Sequence, residues 1–187
     1  MVPLSQLWLP IVLSAVIVFV ASSLIHMVLK WHNSDYRALS NEDEVRAALR
    51  KGSPAPGQYV MPRCNDMKDM GKPEMQQKYQ EGPVGFLVLG PNGAPNMGKA
   101  LGLWFLYAAA VAFMAAYVAG HTLGAGTHYL KVFRIVGTVS FLTYVGGSVQ
   151  MGIWMGKPWG SVLKDLLDGL IYGLLSAGVF GWLWPKV

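Results

Sequence analysis

Four apolar blocks, each long enough to cross a bilayer as a helix, constrain this chain more than any other feature. Crossing roughly 30 Å of hydrocarbon takes about 20 mostly apolar residues in a helix. Residues 7–29 and 101–120 meet that requirement without a single Asp, Glu, Lys or Arg. Residues 132–154 meet it with Arg134 in the first turn, and residues 161–184 with Lys164, Asp165 and Asp168 near the start. Only 13% of the 187 residues are charged, where a soluble domain has about 25%. The expected fold class is an all-α integral membrane protein, a four-transmembrane-helix bundle. One membrane domain covers residues 1–187, and residues 30–98 form a structured extramembrane loop, a cap between the first two helices.

The first block exceeds the apolar core of a signal peptide, about 7–15 residues, and Met1–Gln6 carries no basic residue. It reads as a retained span. Four spans place both termini on one side. Of the fifteen Lys and Arg, only Lys131, Arg134 and Lys186 fall on that side, so the loop is expected in the cytoplasm and the termini opposite. Trp31, Trp104, Trp154 and Trp159 fall at one set of span ends and Trp8, Trp182 and Trp184 at the other, as an aromatic belt would place them. The net charge of +5 follows from this orientation, so no nucleic-acid binding is inferred from it.

The loop is longer than a connector needs to be, and loops beyond about 12–15 residues are usually functional or disordered. Asn41-Glu42-Asp43-Glu44, with Arg50 and Lys51 before Gly52, reads as a short helix capped by Asn41 or Ser40. A second helix is expected over Glu74–Glu81. Val84–Leu89 is apolar but too short to span, and is expected to lie on the interface or the bundle.

The strongest local pattern is steric. Ala108, Ala112, Ala116 and Gly120 recur every four residues in the second span, and Gly169, Gly173, Ala177 and Gly181 in the fourth. Such rows let helix backbones approach closely, within one chain or between chains. Asp168 is the acidic residue expected inside the hydrocarbon edge, with Lys164 and Gln150 as candidate partners. An intramembrane carboxylate is costly and suggests a polar site, although capping the helix start is the plainer role. Met61, Cys64, Met67 and Met70 are spaced like soft ligands for a cuprous ion, and His26 is a further metal candidate. A haem held by two histidines is disfavoured, because His26 and His32 sit at one helix end and His121 and His128 on the opposite side. No Walker A, G-x-G-x-x-G, H-E-x-x-H or G-x-S-x-G motif is present. Neither a catalytic residue nor a cofactor is expected, and the chain is not read as an enzyme.

Three runs carry a resemblance: Gly82-Pro83-Val84-Gly85-Phe86-Leu87, Pro95-Asn96-Met97-Gly98-Lys99 and Asp168-Gly169-Leu170-Ile171-Tyr172-Gly173. With them the chain resembles small four-span bacterial inner-membrane proteins of unknown function. The resemblance implies a multi-pass protein of the bacterial inner membrane with periplasmic termini, and carries over no site residue. The function expected is that of a non-catalytic accessory or structural subunit, or assembly factor, of an inner-membrane complex. Its partners would be the lipid bilayer and other membrane subunits or itself. Two alternatives stay open: a small oligomeric transporter or channel using Asp168, and a copper- or haem-handling membrane protein.

Overall fold

A computed structural model of the chain describes residues 1–186 and separates them into two compact units. The first comprises Met1–Tyr36 with the chain from Asn96 onward; the second is Arg37–Pro95. Residues 30–36 and 96–98, expected in the loop, therefore belong with the helices.

Among the described residues, three helical stretches are long and apolar enough to cross a membrane: Trp8–Leu29, Met97–Thr122 and Tyr129–Met155. In the first, helix α1 (Trp8–Ser23) runs into a widened turn at Leu24–Leu29. The second is α4 (Met97–Thr122), started by Asn96, whose side chain accepts from the Lys99 N–H at 2.9 Å. The third divides into α5 (Tyr129–Val145) and α6 (Ser148–Met155) at the Gly146-Gly147 pair. The last helix, α7 (Trp159–Trp182), has sufficient length, but Lys164, Asp165 and Asp168 lower its hydropathy and it is not one of the three.

Helices α1, α4, α5 and α7 each pack on two of the others, with α5 against α7 the most extensive pairing. Both rows of small residues are consumed here. A methyl added at Gly173 would stand 3.2 Å from Gly137 O and from Phe141 Cβ, and one at Gly169 would collide with Val145. On α4, Ala112 and Ala116 are buried with Leu7, Val132, Val136 and Phe180, and Gly120 O accepts from the Val2 N–H at 2.8 Å. The close approaches are within the chain.

The interior is small and partly polar, with Ser14, Ser22, Ser140, Asp168 and Ser176 buried. The outside of α7 shows Leu163, Leu167, Leu170 and Leu174. Trp8, Trp154, Trp159 and Trp182 are exposed, as a belt requires, but Trp184 is buried and donates to Gly124 O, and Trp104 donates to Ser22 Oγ. Those two tryptophans pack within the helical unit.

The second unit holds α2 (Glu42–Gly52), strand β1 (Gly57–Met61), α3 (Pro73–Glu81) and strand β2 (Gly85–Leu89). The all-α expectation is corrected here: Val84–Leu89 contributes a strand, paired antiparallel with β1 so that Val60 faces Phe86. The run alternates its side chains across a pleat, and Gly57–Met61 supplies β-forming Tyr59 and Val60 opposite it. Asn41 precedes α2 but does not cap it; its amide reaches Glu44 instead. Among residues 37–95 none is buried.

Candidate functional site

The site forms where the first apolar helix ends. At Leu24–Leu29 the helix widens to i→i+5 bonding, closed by the Lys30 N–H on Ile25 O at 3.1 Å. Such widened turns recur at functional positions. Lys30 then adopts the left-handed conformation, φ 54°, and the chain turns into a 3-10 segment, Trp31–Asp35, that lies against α7. Lys164 and Asp168 stand one turn apart on α7 and so share a face.

From these elements a continuous polar chain is built. The Lys164 ammonium donates to Trp31 O (2.7 Å), Ser34 Oγ (2.7 Å) and Asp35 Oδ1 (2.6 Å), using all three of its protons. His32 Nδ1 donates to Asp35 Oδ2 at 2.7 Å, and His32 Nε2 meets Asp168 Oδ2 at 2.9 Å. The ring of His26 stacks on that of His32, centroids 4.6 Å apart and planes within 6°. His26 Nδ1 donates to Ser22 O at 3.0 Å, which leaves its Nε2 3.8 Å from the same Asp168 oxygen. The Lys164 ammonium and the His32 ring hold the Asp35 carboxyl down to about 2, against an ordinary 3.8. Carboxylates thus stand at both nitrogens of the His32 ring, Asp35 at Nδ1 and Asp168 at Nε2.

A cavity of about 260 Å³ opens beside Asp168, lined by His26, Trp104, Tyr107, Tyr144, Ser148 and Tyr172 among others. Asp168 is 5% exposed, yet among the described residues its Oδ1 has no hydrogen-bond partner; neither has the Tyr172 hydroxyl in the wall. Buried polar atoms are paired in most proteins, so two orphans at one cavity single it out.

The structure redistributes the residues expected here. Asp168 is inside, but its partners are His32 and His26; Lys164 reaches past it to Asp35. Gln150 lies on α6 beside a different cavity, with Tyr107, Trp154 and Met155. Asp165 pairs with Lys157. His32 and Asp35 are functional candidates that the sequence reading missed. The available signal was the i,i+3 spacing of a His and an Asp immediately past a span. Met61, Cys64, Met67 and Met70 lie in the second unit, where Cys64 donates to Asp66 O and Met67 is exposed. His121 donates to Tyr117 O, and His128 caps α5 through the Leu130 N–H. At 4.6 Å the stacked His26 and His32 rings leave no room for a haem between them.

No protein-family profile, characterised protein or solved structure matches the chain.

Proposed function

We propose that the protein is a non-catalytic accessory subunit of a bacterial inner-membrane complex, docking its partner through residues 37–95. The observation that carries this reading is the absence of any buried residue among those 59 positions, although they form two helices and a strand pair. A two-stranded sheet with no core is marginal alone and needs a covering surface. Phe86 and Val88 alternate along β2 on one exposed side, and Val84 just before it is exposed too. The unit carries Arg37, Arg46, Arg50, Lys51, Arg63, Lys68, Lys72 and Lys78 against seven acidic residues. Such near-balanced charge favours a protein surface over anionic lipid, which draws polybasic segments. The rows of small residues are spent inside the chain, so the loop unit rather than the helix faces carries recognition.

In this reading α7 is a fourth span, supported by its outward leucines and its packing among three apolar helices. The basic loop side then faces the cytoplasm and both ends face the periplasm. A photo-cross-linker placed at Phe86 in the source membrane is expected to give one discrete protein adduct. Adducts with lipid alone, or with a second copy of the chain, contradict the docking of a foreign subunit.

A second reading, a small oligomeric transporter, is favoured by one observation: the buried Asp168 carboxylate joined to His32. In that reading Asp168→Asn abolishes flux at unchanged expression, whereas the accessory reading expects the variant to support assembly.

A further inference from the structure

We infer that His26, His32 and Asp168 form a binding site for one divalent transition-metal ion of the zinc class, with Asp35 as the positioning residue behind it. The three side chains offer ligand atoms that all lie within 4.8 Å of one another. Tetrahedral zinc with bonds of about 2.0–2.1 Å sets its ligands ~3.3 Å apart. His32 Nε2 and Asp168 Oδ2 are 2.9 Å apart, and His26 Nε2 is 3.8 Å from that oxygen, so both separations bracket the required one.

The tautomers are already set. The Asp35 carboxylate accepts from the His32 Nδ1–H, and the Ser22 carbonyl accepts from the His26 Nδ1–H. His26 is thereby left with its Nε2 lone pair for a metal, and His32 offers its own once the ion displaces the proton it shares with Asp168. A carboxylate behind a histidine is the usual outer support of zinc ligands, and here the support is itself held by Lys164. Stacked parallel rings do not aim two lone pairs at one point, so one ring must turn. His26 is the free one, its side chain 51% exposed, while His32 and Asp168 stay fixed in the interior. Independently, Asp168 Oδ1 is buried, without a partner among the described residues, and beside the 260 Å³ cavity. It can make a second bond to the ion or accept a hydrogen bond from water on the ion's open face.

Three protein ligands and one open position describe a site that binds an exchangeable fourth ligand rather than a closed structural one. Binding exchanges the proton between His32 and Asp168 for the ion, so uptake weakens as pH falls.

The test uses the full chain in detergent, without a polyhistidine tag, titrated calorimetrically with Zn²⁺ and spectroscopically with Co²⁺. One ion per chain and the intense visible bands of four-coordinate Co²⁺ are expected. His26→Ala, which removes a half-exposed ring whose one hydrogen bond is to Ser22 O in the preceding turn, should abolish stoichiometric uptake while the fold stays intact. Asp35→Asn should weaken it about 10–100-fold. No saturable uptake by the unaltered chain, or uptake unchanged in His26→Ala, overturns the inference.

Discussion

His32 Nε2 and Asp168 Oδ2 meet at 2.9 Å although 136 positions separate them in the chain. The contact ties the exit of the first apolar helix to the third turn of the last, and it does so with ionisable groups in a helical unit whose interior is otherwise mostly apolar, with a few serines. One strand of polar contacts, from Lys164 through Asp35 and His32 to Asp168, organises this end of the helical unit.

Removing the two ends of that contact should have unequal effects. His32→Ala leaves Asp168 buried with no donor, a loss of about 3–5 kcal/mol, whereas Asp168→Asn leaves a neutral amide that still accepts, at about 1 kcal/mol. The double variant should be more stable than His32→Ala alone. Denaturation of the detergent-solubilised proteins measures all three.

The Lys164–Asp35 pair should set an acid limit. Because the folded Asp35 carboxyl sits near 2 and its ordinary value is 3.8, its stabilisation is complete above pH 3.8 and is lost as pH falls through about 2. Lys164→Met should cost about 1.5–3 kcal/mol near neutrality, and Asp35→Asn should remove this part of the acid dependence. Melting temperature against pH for the three proteins tests both statements.

The α5–α7 contact should fail by overpacking. The methyl of Gly169→Ala would fall 2.3 Å from Val145 Cγ1, so about 1–3 kcal/mol of destabilisation is expected. Val145→Ala in the same chain removes the clashing carbon and should recover part of it, as thermal unfolding would show. Gly173→Leu, closed in by Gly137 O and Phe141, should reduce folded yield whether or not a partner is present.

Long helices were legible because their signal is local and repeats over many turns. The three charge-poor blocks at the first, second and third positions reappear as helices within a few residues of their expected ends, and so do α2 and α3. The rows at Ala108–Gly120 and Gly169–Gly181 announced close packing, but spacing alone does not name the surface opposite, which proved to be α1, α5 and the N-terminal residues. The strand pair was missed because five-residue apolar runs have no helical period to contradict, and β1 alternates too weakly to declare itself. Asp168 was singled out by its cost in an apolar helix. Its partners were not, because a left-handed Lys30 after a widened turn decides where His32 points, and neither leaves a mark in residue order.

Whether the protein serves a larger complex is decided by native mass spectrometry after mild solubilisation from the source membrane. The chain should leave the membrane with at least one other membrane subunit in fixed stoichiometry, and Phe86→Asp should release it while the chain remains folded. A clean homo-oligomer carrying no foreign subunit would contradict it.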